Sequence, residues 1–253
     1  MHDLVCRWRR QLYGALVITK KNTLLYYLKP PVLIFGVLFP GFFFLAYRMG
    51  RDIPTTFIVP GMVAMTLWFT ASAVGPLVTP WERSAKTYER LISSPLTLKT
   101  IVIGDILSGF IFGLIFTTIS IILGLTGSGA VIANPWLLMA GLVLGALTFS
   151  TLGVLLASPP ATSPAHIMML SNLVRLPLLF LSGIFVPLDQ MPVWARWIAP
   201  ISPLSYANDL IRGGFGQPAY FPTWQSLLML PAFTFALTMV AFKFHRQWRA
   251  RGL

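Results

Sequence analysis

Long apolar runs separated by short polar connections make up most of this chain. Six runs are each about 20 residues long, the length that a helix needs to cross the hydrocarbon core of a bilayer. They cover residues 31–49, 56–79, 101–125, 135–157, 166–187 and 226–244. The pattern predicts an all-α integral membrane protein with six transmembrane helices, forming a single domain over residues 1–253.

Composition excludes an ordinary soluble protein. Only 10% of the residues are charged, against about 25% in soluble domains, and the mean hydropathy is +0.74. In a soluble protein, the net charge of +12 would favour a nucleic-acid partner. Here the basic residues lie between or beside the apolar runs, so we predict contact with membrane lipid and no nucleic-acid partner.

The distribution of Lys and Arg orients the predicted bundle. Six lie in residues 1–30, four between spans two and three, and four from the end of span six onward (Lys243, Arg246, Arg249 and Arg251), whereas only four lie on the opposite side. The positive-inside rule therefore places both termini in the cytoplasm.

Residues 1–30 are too polar to cross the membrane, and they predict an amphipathic helix lying in the cytoplasmic interface. The predicted basic face holds Arg7, Arg10, Gly14, Val17 and Lys21. The predicted apolar face holds Leu4, Trp8, Leu12, Ala15 and Leu16. The alternative is a plain cytoplasmic extension held by headgroup charge.

Charges of both signs mark the connection between spans two and three, residues 80–99. Glu82 lies four residues before Lys86, and Lys86 lies three before Glu89. This spacing predicts a short helix with charge pairs along one face. Such a helix offers a docking surface for another protein; the alternative is a solvated linker whose charges only set the topology.

A charge also lies inside the fifth predicted span. Arg175 sits near its middle, and Pro177 frees the carbonyl of Leu173. An inward-facing contact for an anionic substrate, or a gate, is one interpretation. Structural pairing, or a side chain that reaches back toward the cytoplasm, is the other. We expect Asp105 to pair with Lys99 or Arg175, or to cap the start of the third span.

Residues 188–225 are too apolar and too rich in Trp and Pro for an ordinary external loop. Trp and Tyr favour the headgroup level, and backbone at membrane depth must be helical or covered by protein. A re-entrant helical pair at the outer leaflet meets both demands, with an ordinary loop resting on the membrane as the alternative. Its candidate residues are Trp194, Trp197, Pro200, Pro203, Tyr206, Asp209 and Arg212. Asp209 and Arg212 are expected to pair or to meet headgroups.

Three motifs carry a resemblance to a known family. They are Glu82-Arg-Ser-Ala-Lys-Thr-Tyr-Glu-Arg-Leu-Ile-Ser-Ser-Pro95, Leu181-Ser-Gly-Ile-Phe-Val-Pro187 and Ala199-Pro-Ile-Ser-Pro-Leu-Ser-Tyr-Ala-Asn-Asp-Leu-Ile-Arg212. With the six-span layout, they resemble the membrane subunit (permease) of ABC-2 type exporters, a group that exports drugs, polyketides, lipid-linked glycans and nodulation factors.

The resemblance implies that residues 80–99 form a coupling helix seated on a separate ATP-binding cassette ATPase subunit. The residues carried over to this contact are Glu82, Arg83, Lys86, Thr87, Glu89, Arg90 and Pro95. It also implies a homodimer of permeases on two ATPase copies, which use ATP and Mg, in the plasma (inner) membrane. Ser84-Ala85 departs from the Glu-Gly-like pair of many relatives.

The chain contains no G-x-x-x-x-G-K-[ST] sequence to cradle ATP, so we expect no enzyme activity, bound cofactor or metal. The expected function is ATP-driven export of a hydrophobic or amphipathic substrate, such as a drug, a lipid or a lipid-linked glycan. Candidate residues of the path or gate are Arg175, Pro177, Phe180, Phe185 and Pro187. The alternative is an ion-coupled secondary transporter or a channel that acts without an ATPase.

Overall fold

The computed structural model describes residues 2–26, 34, 38–49, 55–87, 91, 96–159 and 163–250, and in these ranges the regular structure is helical. The longer helices are α1 (His2–Tyr26), α2 (Phe39–Met49), α3 (Thr55–Ser84), α4 (Leu98–Ser128), α5 (Pro135–Leu156), α6 (Pro164–Phe180), α7 (Val193–Ile198), α8 (Pro203–Gly214) and α9 (Thr223–Ala250). Two 3₁₀ turns, Leu188–Gln190 and Ala199–Ile201, flank α7.

Four helices in the described ranges are long and apolar enough to cross a membrane. They are Ile58–Ser84, Leu98–Ser128, Pro135–Leu156 and Thr223–Phe244. They correspond to the second, third, fourth and sixth predicted spans, so the all-α membrane class is confirmed. Residues 31–33 and 35–37 of the first predicted span, 31–49, lie outside the described residues, and α2 covers its last part.

The fifth predicted span, 166–187, is wrong at its carboxyl end. The helix there is α6, a shorter apolar helix of 17 residues, and it ends at Phe180 because the chain turns at the next residues. Ser182 donates its backbone N–H to Leu179 O, and Gly183 adopts a φ of 79° that disfavours any other residue. Span two, by contrast, continues past the predicted residue 79 to Ser84.

The bundle is built around α3, which contacts most of the other long helices and approaches the backbones of α4 and α5. Pro76 has no N–H, so the carbonyl of Ser72 has no helical donor, and this carbonyl lies against α5. A Cβ added at Gly153 of α5 would lie 2.5 Å from it. A Cβ at Gly109 of α4 would lie 2.6 Å from the carbonyl of Ala71. Small residues therefore bring three helices to backbone contact, as membrane helices often do.

Hydrogen bonds define the two ends of the bundle. At one end, Arg83 Nη1 donates to Pro159 O over 3.2 Å, which joins the end of α3 to the end of α5. We call this the basic end. At the other end, Asn134 N donates to Gly214 O over 2.9 Å. The first turns of α5 and α9 begin there with the exposed residues Trp136 and Trp224, and we call it the tryptophan end.

The amino-terminal helix runs beside α4 in the same direction. Gln11 contacts Thr97 and Thr100, Thr19 Oγ1 donates to Gly104 O over 3.2 Å, and Asn22 follows one turn further along. The contact extends over about 17 Å from Gln11 to Asn22, at 1.5 Å per residue. As predicted, this segment is a helix, but it is fastened to the bundle along one side.

The predicted faces of this helix are partly wrong. Gly14 and Lys21 belong to the predicted basic, lipid-facing side, yet both turn toward the bundle. Leu12 and Leu16 are exposed, whereas Ala15, assigned to the same face, is buried. The reason is steric, because Gly104 of α4 leaves room for Ile18, and the side of α1 that carries Ile18 is therefore the buried one. The side chains of Leu4, Arg7 and Trp8 lie outside the described residues.

We predict that Gly153→Ala destabilises the bundle by about 3 kcal/mol or more, because the new methyl group would meet a backbone carbonyl that no rotamer change can move. The matched control is Gly127→Ala in α4, where a Cβ would meet nothing within 4 Å and should be neutral or slightly stabilising. Denaturant unfolding in detergent micelles measures both. Equal stability of the two variants would contradict the close contact.

Candidate functional site

The connection at the basic end does not continue α3 as one charged helix. α3 ends at Ser84, Ala85 and Lys86 form a turn, and Lys86 has a φ of 54°. The predicted pairing of Glu82 with Lys86 is therefore wrong, because the turn separates the two side chains. Glu82 instead forms an ion pair with Lys21 of α1.

The predicted contact residues for the ATPase fall into three groups. Glu82 is only 4% exposed, and Arg83 donates to Pro159 O, so both face the bundle. Lys86 and Thr87 are exposed, and Thr87 Oγ1 donates to Glu82 O over 3.2 Å. Glu89, Arg90 and Pro95 lie outside the described residues.

A second polar contact lies beside the ion pair. Asn22 Nδ2 donates to Asp105 Oδ1 over 2.8 Å and to Ser108 Oγ over 3.2 Å. The predicted partners of Asp105, Lys99 and Arg175, are thus replaced by an asparagine of α1. Sequence reasoning missed Asn22 because an uncharged residue in a basic helix carries no signal of its own.

Gln11 binds the other side of the same connection. Its Oε1 accepts from Thr97 N over 3.1 Å and from the hydroxyls of Thr97 and Thr100. Thr97 is also the N-cap of α4, where its side chain accepts from Thr100 N. The connection, residues 80–99, is thus bound to α1 near both of its ends, at Glu82 and at Thr97.

Arg175 is 2% exposed and lies between α6 and α3. Its Nη1 donates to Ser72 Oγ over 3.2 Å, and its Nη2 donates to Asn172 Oδ1 over 2.7 Å. The guanidinium carbon lies 5.6 Å from the centre of the Phe69 ring, a cation–π distance. Of the two interpretations of Arg175, these neutral partners favour structural pairing over contact with an anionic substrate.

The remaining candidates for the path lie at the end of α6. Pro177 and Phe180 are exposed, and the rings of Phe180 and Phe185 lie 5.3 Å apart. Pro187 is the N-cap of the first 3₁₀ turn. Other exposed apolar side chains lie on α6 and on α7, and we call the two sets together the α6–α7 face: Met169, Leu173, Phe180, Val193, Trp194 and Trp197.

The predicted outer segment divides into an exposed and a buried half. Trp194 and Trp197 of α7 are exposed, whereas Pro203 and Tyr206 of α8 are buried. Tyr206 packs against Phe221, with ring centres 4.7 Å apart, and its hydroxyl donates to Pro200 O over 3.2 Å.

α8 packs lengthwise against α5. A Cβ added at Gly214 would meet Leu138, one at Gly141 would meet Leu210, and one at Gly145 would meet Ala207. α8 therefore extends from the tryptophan end alongside the first three turns of a candidate span. At its inner end, Ser202 Oγ donates to Leu178 O over 3.3 Å, which satisfies a carbonyl near the end of α6.

Asp209 fastens the segment that follows α8. Its Oδ2 accepts from Tyr220 N over 3.0 Å and from Phe221 N over 2.7 Å. Burial raises its pKa to about 6, and the Phe221 hydrogen bond, the charge of Arg212 and the Tyr220 hydrogen bond lower it in part. Arg212 thus acts on Asp209 through its charge, while the carboxylate itself binds the main chain.

A helical bundle with four candidate spans, a charged connection at a basic end and tryptophans at the other end belongs to a polytopic membrane protein. The ABC-2 type transporter family matches residues 13–215, so the chain is a member of that family. Membership makes it the membrane subunit of an ABC transporter and implies partnership with an ATP-binding cassette subunit.

Several relatives share most of this region. Nodulation protein J of Rhizobium leguminosarum bv. viciae is 31% identical over 215 residues, which cover 83% of this chain and 82% of the relative. The probable multidrug ABC transporter permease YbhR of Escherichia coli K12 is 26% identical over 76% of this chain and 52% of its own length. The putative transport permease ycf38 of Porphyra purpurea is 31% identical over 62% of this chain and 54% of its own length.

We predict that Ser72→Ala destabilises the protein by about 1–3 kcal/mol, because it leaves the buried guanidinium of Arg175 with one acceptor fewer. In an Arg175→Leu background the same change should cost little, since no buried charge remains to be satisfied. Denaturant unfolding of the four proteins gives the coupling energy.

Thr118→Ala is the matched control for Ser72→Ala. Ser72 Oγ donates to the carbonyl four residues earlier, Trp68 O. Thr118 Oγ1 makes the same kind of hydrogen bond, to Leu114 O, but Thr118 is exposed. Its removal should be close to neutral. If Ser72→Ala costs the same in both backgrounds, the Arg175–Ser72 bond contributes nothing to stability.

We predict that Asp209 makes stability fall as the pH rises. Its pKa in the folded protein, about 6, lies above the ordinary aspartate value, so the folded state holds the proton more tightly than the unfolded state. The contribution is complete below about pH 4, is lost as the pH passes through 6, and amounts to roughly 3 kcal/mol at most.

Asp209→Asn should remove this part of the profile, because the amide oxygen still accepts both N–H groups and does not titrate. Thermal unfolding in detergent between pH 4 and pH 7 measures it. The exposed Asp189→Asn is the control and should follow the wild-type profile. Parallel profiles for Asp209→Asn and wild type would contradict the prediction.

Proposed function

We propose that this chain is the permease of an ATP-driven exporter that moves a hydrophobic or amphipathic substrate out of the cytoplasm or the inner leaflet. The observation that carries the proposal is the arrangement of the two ends. The basic end exposes Lys86 and Thr87 beyond the last turn of α3, where a partner ATPase can dock. The α6–α7 face is apolar and exposed.

The orientation follows from the same two ends. Tryptophans favour membrane–water interfaces, and basic residues favour the cytoplasmic side. We place the protein in the plasma (inner) membrane, with the basic end and both termini in the cytoplasm. It then crosses the membrane six times. α6 and the segment containing α2 supply the two spans that complete this number.

The substrate class rests on the α6–α7 face. Its exposed side chains are aromatic or aliphatic, and Trp197 is 79% exposed. Exposed apolar side chains of this kind mark a contact with lipid, with a partner or with a ligand. We assign it to a second copy of the permease and to the substrate that passes between the two copies, each copy carrying one ATPase subunit that uses ATP and Mg.

Lipid contact is assigned to the outer side of α1. Leu12, Tyr13 and Leu16 are exposed there, and Arg9 and Arg10 lie one turn earlier. Apolar side chains flanked by basic ones suit the boundary between acyl chains and anionic headgroups.

Reconstitution with an ATP-binding cassette subunit that co-purifies with this chain tests the function. The complex is placed in vesicles of phosphatidylethanolamine and phosphatidylglycerol, with a fluorescent phospholipid and a hydrophobic dye as probes. We expect movement of a probe that requires ATP and Mg. An ATPase variant lacking its P-loop lysine is the control, because that lysine binds the β- and γ-phosphates.

The alternative function makes the opposite prediction. Movement of the same probes by the permease alone, driven by an ion gradient and unchanged by ATP, would establish a secondary transporter or channel. Failure of the chain to form a complex with any ATP-binding cassette subunit would contradict the proposed function directly.

A further inference from the structure

α1 holds the connection between α3 and α4 at both of its ends. Lys21 pairs with Glu82, where the connection begins. Ten residues earlier on the same helix, Gln11 binds Thr97 and Thr100, where it ends. A helix keeps these two side chains about 15 Å apart along its axis, at 1.5 Å per residue, so α1 sets the separation of the two ends.

We propose that Lys21 and Gln11 are positioning residues that hold this connection in place for the partner ATPase. They do not touch the ATPase themselves, and neither does Glu82, whose carboxylate is turned inward to Lys21. The inference rests on the proposed function, in which the exposed part of the connection docks on the ATPase. It adds α1 as the support that turns movement of the connection into movement of the bundle.

Burial explains why Glu82 depends on Lys21 as its partner. Glu82 lies against the bundle with Asp105 nearby, so two carboxylates share one small region. One cation, Lys21, and one amide, Asn22, face these two acids from α1. Removing one member of such a group leaves an unpaired buried charge, which costs more than the pair contributes when it is intact.

The Lys21–Glu82 pair is also linked to the exposed part of the connection, at Thr87. Thr87 Oγ1 donates to the main-chain carbonyl of Glu82, so a shift of Glu82 moves Thr87 with it. On the other side, Thr19 and Asn22 bind α4 at Gly104 and Asp105. Force applied to the connection is therefore delivered to α1 and to α4 together, since both ends of the connection and the first three turns of α4 are bonded to the same helix.

Distance measurements between spin labels test whether α1 holds the connection in place, and they need no substrate. The labels are placed at Lys86→Cys and Leu16→Cys, two exposed positions, in a Cys6→Ser background that removes the single native cysteine. The permease is studied in nanodiscs of phosphatidylethanolamine and phosphatidylglycerol. We expect one narrow distance distribution, and a broad one in Lys21→Met and in Gln11→Ala.

Matched variants separate positioning from general damage. Lys20→Met removes the neighbouring exposed lysine and should leave the distribution narrow. Gln11→Glu keeps the acceptor oxygen and should also leave it narrow. The exchange of charges, Lys21→Glu with Glu82→Lys, should restore the distribution that each single change broadens.

A second experiment measures the coupling of ATP hydrolysis to transport. In the reconstituted complex, Lys21→Met should lower the probe lipid moved per ATP hydrolysed by about 2- to 30-fold, the range for residues along a coupling network. ATP hydrolysis itself should persist. Lys20→Met should keep the wild-type ratio, and the charge exchange should recover most of it.

Two results would overturn the inference. One is a distribution for Lys21→Met as narrow as that for Lys20→Met; the other is a charge exchange that folds but restores neither distance nor coupling. These outcomes differ from failure of the proposed function, in which the complex shows no ATP-dependent movement of any probe while the label distances still report on the permease alone.

Discussion

Backbone contact between α3 and its neighbours determines where every other element lies. Pro76 frees the carbonyl of Ser72, and only a glycine at position 153 lets α5 approach that carbonyl so closely. One turn of α3 thus contacts α4 at Gly109, α5 at Gly153 and, through the Ser72 hydroxyl, Arg175 of α6. Where the hydrophobic effect cannot drive association, such close packing and buried hydrogen bonds hold membrane helices together.

The two ends of the bundle on either side of this contact carry different polar interactions. At the basic end, α1 brings Lys21 and Asn22 to the acids of α3 and α4. At the tryptophan end, α8 returns alongside α5, and Asp209 binds the main chain that leads into α9. The ends are linked by helices that pack closely through small residues.

The sequence predicted the class, four of the spans and the helical start of the chain, because long apolar runs and basic flanks follow directly from the bilayer. It did not predict which face of α1 is buried, since that depends on the shape of α4 around Gly104. The Glu82–Lys86 pair failed because helical spacing assumes a continuous helix, and Lys86 lies in a turn. Asn22 and Gln11 carry no charge or motif, so only their neighbours in space reveal them. The inward turn of Glu82 toward Lys21 was likewise not predicted, since the resemblance assigned Glu82 only to the contact with the ATPase.

The central claim is that the basic end, and no other exposed surface, receives the ATPase. Photo-crosslinking in the intact membrane tests it most directly, with a benzophenone amino acid placed at Lys86 or, for comparison, at Trp194, which is exposed on α7. The account predicts a crosslink to the ATP-binding cassette subunit from position 86 and none from position 194. A crosslink from position 194, or its absence from position 86 in a complex that hydrolyses ATP, would contradict it.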